Sequence, residues 1–229
     1  MSERLKLKAS DGQQLEAYIT KPTGAPRGAI VVVQEIFGIN QHIRATADSY
    51  AAEGYIAIAP ALFDRIQPGI ELSYSPEDKK KAFSLYPELK PELSLLDIAA
   101  AFDAVRGTGK GTAVLGFCYG GLMSWLSATR GPQHNMQPAC AIGYYAGGIG
   151  SVAKENPSCP VMLHFGADDS HIGKDQIEAA RSAHPEVEIF VYPGAGHAFN
   201  REPDSESYRP DAARIARERS LAFLKKNIE

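Results

Sequence analysis

The chain contains 229 residues, of which 44% are hydrophobic and 22% are charged, and its formal net charge is −3. That length suffices for one sizeable hydrophobic core but is short for two, so we expect a single domain over residues 1–229. The lack of a basic excess argues against nucleic acid as a partner. No apolar run approaches the roughly 20 residues that a membrane span requires.

Apolar runs in the sequence alternate with longer amphipathic stretches. The first run, 15–20, predicts an antiparallel strand at the edge of a sheet. Most of the later runs are apolar throughout, which is typical of strands buried on both faces of a parallel sheet. The strands predicted after the first cover residues 29–33, 55–59, 112–117, 139–145, 161–165 and 187–192.

Helical patterns fill the intervals between these strands. Alternation of strands with helices predicts βαβ units. We therefore expect a doubly wound α/β fold, with a mostly parallel central sheet and helices on both of its faces. The predicted helices cover residues 42–53, 91–106, 119–129, 173–183 and 210–226.

Residues 61–90 depart from this alternation, because prolines lie there among charged and aromatic residues. The composition predicts a loop with a short helix at 76–86. Long excursions from a compact domain often serve as lids or pocket walls. A plain surface excursion is the alternative interpretation.

The segment GFCYGG places Cys118 where a predicted strand ends and a predicted helix begins. Such a turn crowds the backbone and requires small residues on both sides of its central residue, which Gly116 and Gly120 supply. The dipole and free N–H groups at the start of a helix favour a thiolate. The pattern therefore predicts a nucleophilic cysteine, and the alternative is an inert cysteine buried on a strand.

A nucleophile of this kind needs a base and an acid that orients the base, and in this fold they follow in the order nucleophile, acid, base. The segments GADDSHI and GAGHAF each follow a predicted strand, where sites in open α/β sheets form. We predict His197 as the base and either Asp168 or Asp169 as the acid. Because Asp169 and His171 lack a third ligand at a suitable spacing, we expect no metal, and no cofactor is implied.

Six segments combine these candidates with further motifs: QEIFGIN (34–40), APALFDRIQPG (59–69), GFCYGG (116–121), GYYAGG (143–148), HFGADDSHI (164–172) and GAGHAFNR (194–201). In these segments the chain resembles the dienelactone hydrolase (carboxymethylenebutenolidase) family of α/β-hydrolases, from about residue 29 to residue 224. The pairing of QEIFG with GFCYGG makes the resemblance specific.

The resemblance implies a role for each matched position. Cys118 would be the nucleophile, His197 the base, and Asp169, three residues after the matched Gly166, the acid. Glu35 would contact the resting thiol, and after substrate displaces it, Glu35 would take the thiol proton. A thiol that ionises only in the complex is protected from oxidation and alkylation.

The resemblance also places Arg65 and Arg201 around a substrate carboxylate, for which the rigid donor fork of arginine is suited. Tyr145 would be a substrate-binding residue. The backbone N–H groups of Ile36 and Tyr119 would form the oxyanion hole. The family often has leucine where this chain has Tyr119, so the ring at this position is expected to narrow or redirect the pocket.

We therefore expect a cysteine-dependent hydrolase that opens a carboxylated enol-lactone, as in the conversion of dienelactone to maleylacetate, through an acyl-enzyme. Two alternatives remain open: an esterase or thioesterase acting on a different anionic ester, and a non-catalytic or redox-sensing cysteine protein. Three cysteines without a CxxC spacing and an N-terminus without an apolar signal core predict a cytoplasmic protein. We expect a small-molecule substrate and a monomer or small homo-oligomer.

Overall fold

The computed structural model describes residues 2–228, which build one sheet of eight strands in the order β1-β2-β4-β3-β5-β6-β7-β8. β1 and β2 pair antiparallel with each other, β2 pairs antiparallel with β4, and the remaining neighbours are parallel. The strands are β1 (Ser2–Lys8), β2 (Gln14–Thr20), β3 (Gly28–Val33), β4 (Tyr55–Pro60), β5 (Thr112–Phe117), β6 (Ala141–Tyr144), β7 (Val161–Gly166) and β8 (Glu188–Tyr192).

Helices connect the parallel strands. Across residues 2–228, no helix has both the length and the apolar character needed to cross a membrane. Short 3-10 turns occur at Leu62–Arg65, Tyr86–Glu88 and Gly131–His134. The helices are α1 (Gln41–Ala52), α2 (Pro76–Leu85), α3 (Pro91–Val105), α4 (Tyr119–Arg130), α5 (Ile149–Val152), α6 (Lys174–Ala183) and α7 (Pro210–Ile228).

The central strands have no exposed face. Every residue of β3, β4, β5, β6 and β7 is buried. A pleated strand turns alternate side chains to opposite faces, so burial at every position requires cover on both faces of the sheet. This confirms the predicted α/β-hydrolase architecture, and it explains why these strands are apolar throughout rather than alternating.

The prediction of an edge strand at 15–20 is wrong in one respect. This segment is antiparallel as expected, but β2 pairs with β4 on one side and with β1 on the other. The outer strand is β1, whose Leu5 and Leu7 alternate with exposed charged residues. Only one face of such a strand packs on the core, and charges on an edge strand discourage pairing with other chains.

The excursion at 61–90 contains the predicted short helix, α2. Ser75 caps it by accepting a hydrogen bond from the N–H of Asp78, and Pro76 occupies the first turn, where its missing N–H costs nothing. A bridge between Gly38 and Glu71 ties the excursion to the loop that follows β3. The excursion therefore lies next to the carboxyl ends of the parallel strands.

Hydrogen bonds between buried polar side chains join β6, β7 and β8 to α7. His164 is fully buried and contacts the Tyr192 hydroxyl at 2.9 Å through Nδ1 and Ser220 Oγ at 3.1 Å through Nε2. Ser220 also contacts the Tyr144 hydroxyl at 2.7 Å. Burial, together with the nearby charge of Arg219, lowers the pKa of His164 to about 3. His164 is thus a core residue, as the sequence indicated.

The depressed pKa of His164 predicts a loss of stability in acid. An unfolded histidine titrates near 6.5, so between pH 6.5 and about 3 the unfolded chain binds a proton that the folded chain rejects. The resulting stability is present above pH 6.5 and is lost as the pH falls. At pH 5 the loss from this one group is about 2 kcal/mol.

Urea unfolding at pH 7 and pH 5 tests this expectation in the wild type and in His164→Gln. The variant should lose about 2 kcal/mol less than the wild type between the two pH values. Equal losses in the two proteins would show that His164 does not control this part of the acid sensitivity.

Candidate active site

Cys118 occupies a sharp turn between β5 and α4, with φ 54° and ψ −115°. A non-glycine residue in such a conformation is strained, and the surrounding structure must hold it there. The turn leaves no room beside the cysteine: a Cβ on Gly116 would lie 2.1 Å from the Gly120 carbonyl oxygen, and one on Gly120 would lie 2.3 Å from the Val33 carbonyl oxygen. The two glycines are therefore required where the sequence predicted them.

The same turn brings Cys118 to the start of α4. The Cys118 N–H donates to the Tyr144 carbonyl at 3.0 Å, which ties the turn to the neighbouring strand β6. Tyr119 is the first residue of α4, and N–H groups in a first helical turn have no acceptor within the helix. Cys118 is partly exposed, and all three cysteines of the chain are free thiols.

His197 and Asp169 form a hydrogen-bonded pair beside the cysteine. His197 Nδ1 lies 2.8 Å from Asp169 Oδ2, and Asp169 Oδ1 accepts from the N–H groups of His171 at 2.8 Å and Ile172 at 3.2 Å. The Asp169 side chain is fully buried, whereas Asp168 is exposed. The structure therefore distinguishes the two aspartates that the sequence left open, and Asp169 is the one that faces the imidazole.

The electrostatics of this pair favour a protonated imidazole. Burial by itself would lower the pKa of His197, but hydrogen bonds to Asp169 and Cys118 outweigh it and raise that pKa to about 10. Burial would likewise raise the pKa of Asp169, and its hydrogen bond to His197 lowers it. Asp169 thus remains a carboxylate beside an imidazole that holds its proton.

Glu35 is buried at the end of β3, where Arg201 and Tyr74 hold it. Arg201 Nη2 donates to Oε1 at 2.8 Å, Arg201 Nε lies 3.2 Å from Oε2, and the Tyr74 hydroxyl donates to Oε2 at 3.1 Å. Burial opposes ionisation of this carboxyl, but the charge of Arg201 lowers its pKa. The expected contact of Glu35 with the resting thiol remains a prediction.

Arg201 joins Glu35 to the wall of the cavity. Its Nη1 donates to Asp204 Oδ2 at 3.0 Å, and Lys79 Nζ on α2 lies 3.3 Å from the same oxygen. The Arg201 guanidinium also lies over the Tyr74 ring, 4.4 Å from its centroid. Glu35, Arg201, Asp204 and Lys79 therefore form a row of alternating charges from the buried strand end to the excursion helix.

A cavity of about 410 Å³ opens above Cys118. His197, Ile36 and Arg201 line it together with the cysteine, and α2 contributes Lys79 and the ring of Phe83, which is 58% exposed. An exposed phenylalanine at the rim of a cavity gives an apolar ligand a surface to cover. The excursion at 61–90 is therefore a wall of this cavity, as the pocket-wall interpretation expected.

Arg65 is not brought to this cavity, contrary to what the resemblance implied. Its guanidinium donates through Nε and Nη2 to Asp97 at 2.7 and 2.8 Å, and through Nη1 to Asp11 at 2.7 Å. Asp97 is fully buried on α3, and two-point pairing of this kind occupies the donor fork. Arg65 therefore joins the 3-10 turn to α3 and to the β1–β2 turn.

Two tyrosines also differ from their expected placement. Tyr145 is fully buried, with its ring centroid 5.0 Å from that of His197, so it supports the imidazole and does not line the cavity. Tyr119 turns its ring away from the cavity: its hydroxyl lies 2.8 Å from Ser94 Oγ, and its ring meets Tyr86 edge-on at 5.9 Å. The Tyr119 ring therefore supports the Tyr86 part of the cavity wall.

Sequence reasoning missed Tyr74, Asp204 and Lys79. Lys79 begins a run of three lysines on α2, and the sequence offers no means of deciding which of them faces the cavity. Asp204 lies three residues after Arg201, a spacing that suggests a local ion pair only once the loop conformation is known.

Within residues 2–228, no group of three or more His, Cys, Asp or Glu residues has the arrangement of a metal site.

Comparison with known proteins agrees with this geometry. The model of the dienelactone hydrolase family matches residues 15–228. A carboxymethylenebutenolidase of Pseudomonas putida is 31% identical over 234 residues, which cover 98% of this chain and 96% of the relative. The crystal structure of a protein from Klebsiella pneumoniae, described as a dienelactone hydrolase, superposes with a TM-score of 0.79 at 31% sequence identity. The match covers 97% of this chain and 98% of the Klebsiella chain.

These matches span nearly the whole chain, including the strand ends that carry Glu35, Cys118, Asp169 and His197. The chain belongs to the dienelactone hydrolase family and is an α/β-hydrolase that acts on ester or lactone bonds.

Proposed function

We propose that the protein is a cysteine-dependent hydrolase that opens a carboxylated enol-lactone, of the dienelactone type, through an acyl-enzyme. The observation that carries this proposal is the sequence of contacts from Cys118 to His197 to Asp169 at the floor of a cavity that also contains cations. A thiol, a base and an orienting carboxylate in contact are the parts that nucleophilic acyl transfer requires.

In the acylation step the Glu35 carboxylate, displaced by the substrate, takes the proton of the Cys118 thiol, and the sulfur attacks the lactone carbonyl carbon. The carbonyl oxygen becomes an oxyanion, which the N–H groups of Ile36 and Tyr119 stabilise from the ends of two neighbouring strands. The ring carbon–oxygen bond then breaks and the enolate leaves, with its proton supplied by His197 where the leaving group needs one. Cys118 is left as a thioester.

In the deacylation step a water molecule attacks that thioester while His197 takes one of its protons. The same two N–H groups hold the second oxyanion, and the carbon–sulfur bond breaks. The free acid is released, and the Cys118 sulfur recovers its proton from Glu35. Asp169 keeps the His197 Nδ1–H oriented in both steps, so that Nε2 faces the reacting atoms.

The charges around the cavity favour an anionic substrate. Arg201 and Lys79 line it, with Asp204 between them as their shared partner. Lys79 thus takes the position that the resemblance implied for Arg65. A substrate carboxylate that binds Arg201 competes with Glu35, and a displaced Glu35 is a base available to the Cys118 thiol.

The orienting role of Asp169 predicts the effect of Asp169→Asn. The amide keeps the shape of the side chain, but it no longer compensates the imidazolium that forms during the reaction. We expect kcat to fall by about 10²- to 10⁴-fold with the fold intact, since comparable changes in other triads cost this much. Steady-state kinetics and circular dichroism measure both quantities, and a kcat within threefold of wild type would remove Asp169 from the mechanism.

Hydrolysis of a carboxylated dienelactone, followed by ultraviolet absorbance, tests the substrate class directly. We expect rapid turnover of the acid and turnover of its neutral methyl ester that is slower by at least about tenfold in kcat/KM, because only the acid can pair with the cavity cations. Cys118→Ala should abolish both reactions.

Other outcomes of that assay favour the alternatives. Turnover of other anionic esters without turnover of the lactone would retain the cysteine hydrolase and replace its substrate. Turnover that survives in Cys118→Ala would contradict the nucleophile. Absence of any ester hydrolysis would favour a redox role for Cys118, for which the buried Cys140 is poorly placed as a resolving thiol.

The assignment of Lys79 has a matched control on the same helix. In Lys79→Gln the cavity loses a cation and Asp204 keeps only Arg201 as a cationic partner, so the KM for the carboxylated lactone should rise about fivefold while kcat changes little. Lys80 is exposed outside the cavity, and Lys80→Gln should leave both constants unchanged. Equal effects of the two substitutions would exclude a specific role for Lys79.

A further inference from the structure

Three buried side-chain polar atoms lack a hydrogen-bond partner among residues 2–228: His42 Nε2, the Tyr145 hydroxyl and His184 Nε2. Unpartnered buried polar atoms are rare in folded proteins, and each one calls for an explanation. His184 lies at the end of α6 and packs on Trp125. The other two border the Glu35–Arg201 ion pair.

His42 is a buried histidine on α1 whose ring packs edge-on against that of Tyr74. It belongs to the first turn of α1, is only 7% exposed, and its ring lies 6.3 Å from that of Tyr74, whose hydroxyl donates to Glu35. The charges of Glu35 and Arg201 both act on the imidazole. His42 is thus a neighbour of the ion pair that makes no hydrogen bond to it through Nε2 within the described chain.

Tyr145 borders the same ion pair from the catalytic side. Its backbone has φ 37°, which is unusual for a residue with a large side chain, and its ring packs on His197. The hydroxyl is close enough to Glu35, Arg201 and Cys118 to feel the charge of each. The hydroxyl itself has no hydrogen-bond partner among residues 2–228.

Arg201, by contrast, has the Nε–Nη2 side of its guanidinium occupied. Nε and Nη2 serve Glu35, and Nη1 serves Asp204. A substrate carboxylate that binds this Nε–Nη2 side in a two-point contact displaces Glu35. The displaced carboxylate is buried and charged, so it needs hydrogen-bond donors wherever it goes.

We propose that His42 and Tyr145 form a second hydrogen-bonding position for Glu35, which its carboxylate occupies when an anionic substrate binds Arg201. Both are positioning residues: they act through Glu35 and do not touch the reacting atoms. The inference rests on the proposed function, because it assumes an anionic ligand at Arg201. The proposed second position explains why His42 Nε2 and the Tyr145 hydroxyl have no partner while Glu35 is bound to Arg201.

The chemistry of the two groups suits this task. The Tyr145 hydroxyl is a donor, and burial raises its pKa, so it stays protonated. Burial lowers the pKa of His42, so the imidazole is neutral and can donate from Nε2 in the appropriate tautomer without placing a second cation beside Arg201. Donors on two sides would hold the carboxylate in a defined orientation towards Cys118.

Alkylation of Cys118 tests this inference without any knowledge of the substrate. Iodoacetate and iodoacetamide have nearly the same size, and only iodoacetate carries the carboxylate that can displace Glu35. The measured quantity is the ratio of their rates at Cys118, located by peptide mass spectrometry and divided by the same ratio for free cysteine. We expect this normalised ratio to exceed about ten in the wild type, as for two charge-assisted hydrogen bonds.

His42→Phe keeps the ring packing and removes Nε2, and Tyr145→Phe removes only the hydroxyl. Each should lower the normalised ratio about fivefold, as for the loss of one hydrogen bond, while the rate with iodoacetamide changes less than about twofold in His42→Phe. His42→Gln restores a side-chain N–H donor and should keep the ratio within about twofold of wild type. Thermal melting checks that each variant is folded, and Tyr145→Phe provides the test should His42→Phe not fold.

The outcomes separate this inference from the proposed function. A wild-type ratio above ten that is unchanged in both phenylalanine variants would overturn the second position and leave the anionic cavity intact. A wild-type ratio near one would overturn the anionic cavity, and the second position with it. Failure of His42→Gln to restore the ratio would assign His42 a packing role instead.

Discussion

The backbone at Cys118 is the constraint on which the site depends. Cys118 has a positive φ, which is unusual for a residue other than glycine. The turn is so tight that Gly116, near the end of β5, and Gly120, the second residue of α4, leave no room for a side chain. This geometry is what places a side chain at the mouth of a parallel sheet and at the start of a helix at the same time. Strain of this kind persists only where the surrounding structure holds it, and here the buried strands β3 and β6 do so on either side.

A second constraint is the burial of charge beside that turn. Glu35 and Arg201 are both nearly inaccessible to water, and each remains ionised because the other lies within hydrogen-bond distance. Breaking such a pair without a replacement would leave an isolated buried charge, which is far more costly than the pair itself. A ligand that separates this pair must therefore supply Arg201 with another anion, and Glu35 must find new hydrogen-bond donors.

Much of this could be predicted from local sequence. Glycines flank a cysteine at a strand end, and a histidine lies in a glycine-rich loop after a later strand. These local patterns predicted Cys118 as the nucleophile and His197 as the base. The choice between Asp168 and Asp169 could not be made from the residues alone, because adjacent side chains point in different directions and only the loop conformation decides which faces the imidazole. Arg65 lies in a matching motif, yet its partners Asp11 and Asp97 are remote in sequence and became visible only in the structure.

The sequence by itself determined the α/β alternation, the elbow and the order of the catalytic candidates, because strand burial, helix amphipathicity and turn geometry are properties of neighbouring residues. Only the tertiary structure decided which cations reach the cavity and that the Tyr119 ring supports the wall and does not narrow the floor. It also showed that, within residues 2–228, His42 Nε2 and the Tyr145 hydroxyl make no hydrogen bond. The physical reason is that these facts depend on the directions of side chains from elements far apart in the chain. Those directions follow from how the sheet, its helices and the excursion at 61–90 pack together.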